Sequence, residues 1–189
     1  MIIALTGTPG TGKTTVCGIM KEHSQYRKMF HIIDLNKLII DEKLYTGKDV
    51  ERDTYEADID KLEERVLQLI NQAPQEKDVI LEGHLSYFLP VDSVIVLRVN
   101  PVALRKRLGA RNKYSGAKVK ENANAEALDV ILVESCEYCE SVFEIDTTEK
   151  NALAVVKSCV SIIESLKSGE SPAEFLPGNI SWLDLVELD

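Results

Sequence analysis

The sequence near the amino terminus reads GTPGTGKTT, a run of glycines, hydroxyl-bearing residues and one lysine that can bind a phosphate group. The Gly-Lys-Thr run that begins at Gly12 follows Gly7 after four residues, which fits the pattern G-x-x-x-x-G-K-[ST] of the phosphate-binding loop. Glycines let successive backbone N–H groups point inward around an anion, and a following helix adds the positive end of its dipole. We therefore predict that Lys13 reaches the terminal phosphates of a nucleotide, that the Thr14 hydroxyl ligates Mg²⁺, and that Thr15 contacts the α-phosphate.

Three further polar residues follow apolar segments. Glu82 ends the stretch KDVILEG, where a phosphate-loop enzyme needs a carboxylate to hold Mg²⁺ or to orient an acceptor. His84 lies two residues later, and its imidazole could position a water molecule or an acceptor group. A solvated strand-end glutamate and an ordinary loop histidine are the alternative interpretations. Asp34 follows RKMFHII and can cap a helix over LNKLIIDE.

Apolar periodicity predicts the elements that position these residues. The predicted strands lie at 2–6, 27–33, 77–83, 92–99 and 141–146, and the predicted helices at 12–23, 35–42, 57–72, 101–109, 119–140 and 149–167. Strands that alternate with helices indicate an α/β fold with a parallel five-stranded sheet and helices on both faces. Because ligands bind at the carboxyl ends of such strands, we expect the phosphate loop, Asp34 and Glu82 to converge there.

Two polar segments indicate a second substrate and a lid. One is 34–57, whose part from 43 onward reads as irregular, and the other is the polar loop 110–118. A kinase must keep water away from the phosphoryl group in transfer, and mobile lids do so. Arginines can stabilise the phosphate oxygens in the transition state. Arg111, at the start of the loop, is the favoured candidate, since Arg105 and Arg107 read equally well as a solvated helix face.

Composition limits the class of protein. At 189 residues the chain predicts one domain, 1–189. The net charge of −9 argues against a broad nucleic-acid surface, leaves a local basic cleft possible and suits a basic protein partner. There is no apolar run of about 18 residues and no basic segment that would begin a signal peptide, so we expect no membrane span and a cytoplasmic location.

The four cysteines leave two interpretations open. Cys136 and Cys139 form a C-x-x-C pair, but no second pair or nearby histidines complete a zinc pattern. Reduced, structural cysteines are therefore favoured for this pair and for Cys17 and Cys159, with a metal or redox role as the alternative.

The tail after Ser168 is acidic and rich in turn residues, yet it contains apolar residues such as Phe175 and Trp182. We expect this tail, about 168–189, to dock on the domain. A free recognition element is the alternative.

The sequence also bears on the nucleobase. GTPases recognise guanine through Asn-Lys-x-Asp, and neither of the two Asn-Lys pairs, at 36–37 and 112–113, is followed by the required Asp. ATP is therefore favoured over GTP.

Four segments together resemble the adenylate kinase isoenzyme 6 family, especially its archaeal branch: ALTGTPGTGKTT, DLNKLIIDEKLY, LEGHLSYFLPVDSVIVLR and RLGARNKYSGAKVKENANAEAL. The resemblance covers about residues 1–167. It implies the fold of phosphate-loop nucleoside monophosphate kinases. It also implies Mg²⁺-dependent kinase activity with additional ATPase activity, and a link to maturation of the small ribosomal subunit.

The resemblance also implies roles for individual residues. Those implied to bind ATP are Gly10, Gly12, Lys13, Thr14, Thr15 and Arg111. Glu82 and His84 would serve Mg²⁺ and the water or acceptor, and Asp34 and Lys37 would contact the monophosphate. The insert that binds the monophosphate would span about 31–54, and the lid about 110–120.

Several positions depart from the family pattern. Glu82 replaces the common Asp, Lys37 stands where an arginine is frequent, and Asn112-Lys113 replaces a glycine. The segment GHLSYFLP also lacks the arginine of the Gly-Phe-Pro-Arg loop of typical adenylate kinases. A lysine offers a point charge in place of a bidentate fork, so the departures favour slow transfer or hydrolysis.

Three functions remain open at this stage. The first is Mg²⁺-dependent transfer of a phosphoryl group from ATP to AMP or a similar monophosphate. The second is an ATP-hydrolysing assembly factor that binds a basic ribosomal protein of the small subunit, with direct RNA contact left open. The third is a kinase of a small metabolite, of the shikimate or gluconate type.

Overall fold

The computed structural model describes residues 1–49, 54–111 and 114–187. The strands within these ranges are β1 (Ile2–Thr6), β2 (Phe30–Asp34), β3 (Tyr45–Asp49), β4 (Thr54–Ala57), β5 (Asp78–Glu82), β6 (Ser93–Arg98) and β7 (Val142–Asp146). The α-helices are α1 (Lys13–Glu22), α2 (Ser24–Met29), α3 (Leu35–Asp41), α4 (Ile59–Gln72), α5 (Pro101–Gly109), α6 (Gly116–Ala127), α7 (Val130–Tyr138) and α8 (Ala152–Lys167). None of the helices in the described ranges has the length and apolar composition needed to cross a membrane.

The predicted parallel sheet is confirmed. Five strands pair in the order β2-β5-β1-β6-β7, and every pairing is parallel. Side chains on one face, such as Leu5 and Ile95, pack against α1 and α8, while those on the other, such as Ala4 and Val94, pack against α7. The strands read as continuous apolar runs because both faces are covered. This sheet fixes the carboxyl ends of β1, β2 and β5 side by side.

The strand prediction at 27–33 is wrong in its first half. Residues 27–29 belong to α2, and β2 begins only at Phe30. Tyr26 is buried in the core beside α1, and Arg27 N donates to His23 O at 3.0 Å. These contacts favour a short helix over an extension of the strand.

The prediction of irregular structure from 43 to 57 is also wrong. β3 and β4 form an antiparallel hairpin with Tyr45 opposite Ala57. The rings of Tyr45 and Tyr55 lie 4.4 Å apart, and the Lys48 ammonium lies 5.6 Å from the Tyr55 ring. Such cross-strand pairs stabilise a hairpin whose residues show no apolar alternation in the sequence.

The long helix predicted at 119–140 is two helices. Asp129 has φ 57°, a left-handed conformation that ends α6 and allows α7 to start in a new direction. α6 also begins inside the predicted loop 110–118, at Gly116, because the Ser115 hydroxyl accepts from Lys118 N at 3.2 Å and caps it. The break turns the Asp129 carboxylate toward Arg98.

The C-terminal tail docks, as expected, over its described residues. Phe175 packs against the core on the α1 and α8 face of the sheet. The backbone N–H groups of Asn179 and Ile180 donate to Glu144 Oε1 at 2.8 and 3.0 Å. Further along, Asn124 on α6 exchanges two hydrogen bonds with the backbone of Glu187, at 3.0 and 3.1 Å. The tail therefore links β7 to α6.

The four cysteines are free thiols in the structure. Cys17 on α1 and Cys159 on α8 are buried in the same core cluster, where burial raises the pKa of both thiols. Cys136 is exposed on α7 and Cys139 is half-buried just after it. In the part of the chain that the structure describes, neither belongs to a group of three or more His, Cys, Asp or Glu side chains able to hold a metal ion.

Docking of the tail predicts that alanine substitutions at two neighbouring residues, Trp182 and Leu183, change the free energy of unfolding by different amounts. The Trp182 ring lies 5.2 Å from the Arg98 guanidinium, whereas Leu183 is 58% exposed. Trp182→Ala should lower the free energy of unfolding by about 1–3 kcal/mol, because a desolvated cation–π contact and apolar area are lost. Leu183→Ala, the matched control, should change it by less than about 0.5 kcal/mol. Urea unfolding measures both, and equal effects would contradict the docking.

Candidate active site

The phosphate loop depends on glycine at defined positions. Gly7, Gly10 and Gly12 have φ of 133°, 99° and 109°, values that L side chains rarely adopt. A Cβ on Gly7 would overlap the Leu97 carbonyl oxygen, and one on Gly10 would lie 2.7 Å from Leu104 Cδ1. The loop therefore packs closely against β6 and α5 while α1 starts at Lys13. Its N–H groups and the helix end provide a site for an anion.

Lys13 is buried beside the loop backbone. Its Nζ donates to the carbonyl oxygens of Gly7 at 2.5 Å and of Thr8 at 3.1 Å. Burial lowers the pKa of Lys13 to about 8, although the negative charges of Glu82 and Glu126 act in the opposite direction. A buried lysine with a lowered pKa, placed in a cleft beside a phosphate loop, marks this position as a candidate functional residue.

Thr14 and Glu82 bring two side-chain oxygens together beside the loop. The Thr14 hydroxyl donates to Glu82 Oε1 at 2.9 Å. Glu82, at the end of β5, is 2% exposed, and burial raises the pKa of its carboxyl while the Thr14 hydrogen bond lowers it. Hard oxygen ligands suit Mg²⁺, and a cation would stabilise a carboxylate that water does not reach. These two residues therefore fit a magnesium ion.

Thr14 and Glu82 line the larger of the two cavities described next to the loop. This phosphate cavity has a volume of about 520 Å³. It is lined by loop and nearby residues that include Gly10, Gly12, Lys13, Thr14, Thr15, Asn36, Glu82, His84, Arg111, Tyr114 and Lys118. A second depression of about 300 Å³, the Arg107 cavity, borders the same loop and is lined in part by Thr15, Arg107, Arg111, Thr147 and Lys150. The loop thus separates two spaces that share Arg111.

A third space, the hairpin cavity, adjoins the phosphate cavity. Its volume is about 650 Å³, and its lining includes Asn36, Ile39, Tyr55, Glu56, His84 and Phe88. Asn36 and His84 line both cavities, so the two spaces meet at these side chains. Most of the lining is apolar or aromatic, which is typical of a pocket that binds a small molecule.

His84 is a neutral imidazole at ordinary pH. Burial, and then the charge of Lys13, lower its pKa to about 4. Its backbone carbonyl accepts from Thr6 Oγ1 at 3.2 Å, which ties it to the end of β1. A neutral imidazole can accept a hydrogen bond from a water or an acceptor group, the chemistry that the sequence predicted for it.

The arginines of α5 and the lid differ in their contacts. Arg107 donates to the carbonyl oxygens of Thr147 at 2.7 Å and Thr148 at 3.0 Å, and Arg105 pairs with Glu187. Neither is simply solvated. Arg111 is exposed and lines both the phosphate cavity and the Arg107 cavity. Asn112 and Lys113, where the sequence departs from the lid pattern, lie outside the described residues.

The structure does not bring Asp34 and Lys37 into the phosphate cavity. The Asp34 carboxylate accepts from Lys37 N at 3.0 Å and caps α3. Both residues line a separate depression with Lys21 and Asp41. The contact of Asp34 and Lys37 with a substrate therefore stays a prediction. Asn36, which lies between them in the sequence, lines the phosphate cavity.

Several lining residues are absent from the sequence-based set. Asn36, Tyr55 and Phe88 come together only because the hairpin folds over α3 and the segment after β5. Lys118 was within reach, since it belongs to the segment RNKYSGAKVKENANAEAL that carries part of the family resemblance. It also falls inside the predicted lid, about 110–120.

Comparison with known proteins bears on this chain at two levels, its fold and its sequence family. Two solved structures share the fold. The first is shikimate kinase from Acinetobacter baumannii in complex with shikimate, with a TM-score of 0.58 and 18% identity, covering 88% of this chain and 94% of the other. The second is deoxyadenosine kinase from M. mycoides, with a TM-score of 0.51 and 18% identity, covering 87% of this chain and 100% of the other. At these identities the likeness concerns the fold alone, which is that of the phosphate-loop kinases.

Sequence relatives are closer. A protein of Methanosarcina acetivorans named "Putative adenylate kinase" is 46% identical, over 98% of this chain and 100% of its own length. One of Methanocaldococcus jannaschii with the same name is 37% identical, over 98% of each chain. The sequence profile of the AAA domain family matches residues 3–129. The chain therefore belongs to the AAA domain family and to the group of archaeal proteins that bear the name "Putative adenylate kinase".

Proposed function

We propose that the protein is a Mg²⁺-dependent nucleoside monophosphate kinase that transfers the γ-phosphoryl group of ATP to AMP. The observation that carries this proposal is the junction of the phosphate cavity and the hairpin cavity at Asn36 and His84. A donor bound on the phosphate loop and an acceptor in the hairpin cavity would meet there. Chain relatives named adenylate kinase support AMP as the acceptor.

The binding site of the phosphoryl donor, ATP, is assigned from the phosphate loop. We assign Gly10, Gly12, Thr15 and the N-terminal end of α1 to the phosphates of ATP, and Lys13 to its β- and γ-phosphates. Arg111 lies between the phosphate cavity and the Arg107 cavity, so the nucleoside would extend into the Arg107 cavity. Its guanidinium would then contact the phosphates from the lid side, over about 110–120.

Thr14 and Glu82 would hold the magnesium ion. When bound, the ion would supply positive charge that neutralises the phosphates. The Thr14 hydroxyl and the Glu82 carboxylate, 2.9 Å apart, would fix that charge on the side of the loop next to Lys13. Glutamate in place of the family's aspartate keeps this charge with a longer reach.

The acceptor side belongs to the predicted insert, about 31–54, and to the strand β4 that follows it. Tyr55 and Phe88 would pack against the base, and Asn36 would bond to the acceptor near His84. Asp34 and Lys37 remain proposed contacts of the monophosphate, and their capping bond also sets the first turn of the helix that carries Asn36. In the transfer, an oxygen of the AMP phosphate forms a bond to the γ-phosphorus, and the bond from that phosphorus to the β–γ bridging oxygen breaks.

ATP hydrolysis is the second activity that we propose for the same site. The neutral imidazole of His84 lies where the two cavities meet and could orient a water molecule in place of the acceptor. The resemblance to the isoenzyme 6 family extends this to an assembly factor of the small ribosomal subunit that binds a basic ribosomal protein. The net charge of −9 is compatible with such a partner. The location that we propose is the cytoplasm, where four free thiols stay reduced.

A steady-state assay tests the function directly. Mg²⁺ and ATP are incubated with each of AMP, dAMP, CMP, UMP and GMP, and the diphosphate product is separated from free phosphate. With AMP present we expect ADP to form faster than phosphate is released, and Lys13→Ala should lower both rates by about 1,000-fold or more, because the positive charge that stabilises the β- and γ-phosphates is lost. Lys21→Ala, on the same helix outside the phosphate cavity, is the control. Dominant phosphate release that no monophosphate accelerates would favour the assembly factor, and activity retained in Lys13→Ala would refute the loop assignment.

His84 should separate hydrolysis from binding. Because the imidazole would orient the attacking water, His84→Ala should lower phosphate release by about 100-fold, with the Kd for ATP within about threefold of wild type. His31→Ala, on β2, is the matched control and should change neither quantity. Since the pKa of His84 is about 4, its charge should not alter the rate between pH 5.5 and about 7. An equal loss of ATP affinity with intact circular dichroism would make His84 a binding residue.

The lowered pKa of Lys13 predicts proton uptake on nucleotide binding. In the free protein Lys13 loses its proton as the pH rises through about 8, whereas bound phosphates would raise this pKa. The affinity for ATP should therefore be highest below pH 8 and should fall by up to about tenfold per pH unit above it. Calorimetry at pH 8.5 in buffers of different ionisation enthalpy should show uptake of a fraction of a proton. Lys13→Ala should abolish the uptake, and an unchanged uptake in that variant would assign it to another group.

A further inference from the structure

A buried group of charges contacts the phosphate loop from outside the cavities. Arg98, at the end of β6, is 1% exposed, and its guanidinium meets the carboxylates of Glu126, Asp129 and Glu144. Its Nε donates to Glu126 Oε1 and its Nη1 to Glu144 Oε2, both at 2.8 Å. The proposed function gives this cluster no role, since neither Arg98 nor its partners are among the described residues that line the phosphate cavity.

Glu126 is the member of the cluster that reaches the loop. Thr8 Oγ1 donates to Glu126 Oε2, while Val99 N donates to Oε1 at 3.1 Å. Glu126 is 3% exposed, so protein donors take the place of water around its carboxylate. These donors come from the phosphate loop, from β6 and from the residue that follows β6.

Thr8 transmits this contact to Lys13. The Thr8 carbonyl oxygen accepts from Lys13 Nζ at 3.1 Å and from Thr11 Oγ1 at 3.0 Å. A shift of Thr8 would therefore move an acceptor of the lysine that is assigned to the phosphates. Misplacement of a reacting group by about 1 Å can cost about 100-fold in rate.

The same carboxylate fixes the helix that follows the lid. Glu126 lies in the last turn of α6, and the first turn of α6 carries Lys118, which lines the phosphate cavity with Tyr114. Glu126 thus joins the loop that carries Lys13 to the helix that carries Lys118. Both lysines would approach the phosphates from different sides.

Stability alone is a weak reason for such a cluster. The cost of removing charges from water offsets most of the attraction between them, and apolar residues of similar volume often stabilise a core as well. What an ion cluster adds is a fixed geometry, because each hydrogen bond has a required direction.

We propose that Glu126 is a positioning residue for phosphoryl transfer: its carboxylate holds Thr8, and with it an acceptor of Lys13, in fixed register with α6. This inference rests on the proposed kinase function of the cleft. Glu126 touches no substrate in this arrangement and acts through Thr8.

A double-mutant cycle on Thr8 and Glu126 tests the proposal. Thr8→Val removes the hydroxyl at nearly constant volume and should lower kcat for ADP formation by about 10- to 100-fold, with KM for AMP within about threefold. Thr8→Ser keeps the hydroxyl and should restore kcat to within threefold of wild type. Glu126→Gln should also lower kcat, and the double variant should be no slower than the slower single variant, because both remove one link.

Glu144→Gln is the matched control for stability. Glu144 is buried in the same cluster and bonds to the same arginine, but it contacts the tail and not Thr8. It should lower the Tm as Glu126→Gln does and leave kcat within threefold of wild type. A loss of kcat in Glu144→Gln equal to that in Glu126→Gln would overturn the proposal, as would additive losses in the cycle or full activity of Thr8→Val.

Measurements of ATP affinity distinguish a failure of the positioning role of Glu126 from a failure of the proposed kinase function. Calorimetric Kd values for ATP are measured for the same variants, and Thr8→Val should bind ATP more weakly than Thr8→Ser. If wild type transfers no phosphoryl group to any monophosphate, the kinase function fails, and the Kd values of the cycle then decide the role of Glu126. Equal Kd values for Thr8→Val and Thr8→Ser, in that case, would overturn the positioning role.

Discussion

A single buried guanidinium connects most of the elements that surround the phosphate loop. Arg98 lies at the end of a central strand and bonds to carboxylates from α6, from the turn before α7 and from β7. The ring of Trp182 covers it from the tail. Because an unpaired buried charge is very costly, each of these elements is constrained to present its partner at hydrogen-bonding distance. The loop joins the same network through Thr8, so the geometry of the cleft depends on contacts well outside it.

Burial acts on the two key charges of the cleft in opposite directions. It lowers the pKa of Lys13 and raises that of Glu82, so both side chains are shifted toward their neutral forms. A phosphate beside Lys13 and a cation beside Glu82 would each reverse the shift. The site therefore favours a ligand that brings both signs of charge together, which describes a nucleotide with its magnesium ion better than either alone.

Local patterns were sufficient to predict the sheet and the loop, because continuous apolar strands and the Gly-Lys-Thr spacing are encoded in neighbouring residues. The parallel order then placed Glu82 beside the loop. The hairpin of β3 and β4 was not predicted, since its stability comes from the contact between Tyr45 and Tyr55 across the strands. The bonds of Glu126 were beyond prediction for the same reason: its partner Thr8 lies 118 residues away in the chain.

The distribution of charge among the cavities constrains how an acceptor would bind. The cations Lys13, Arg111 and Lys118 line the phosphate cavity, whereas the described lining of the hairpin cavity contains no lysine or arginine. An acceptor phosphate would be drawn to the phosphate cavity by these charges. The base would then occupy the hairpin cavity, where aromatic packing would provide most of the contact and polar groups such as Asn36 and Glu56 would distinguish one base from another. On this argument the acceptor would be oriented by charge at one end and selected by shape and hydrogen bonding at the other.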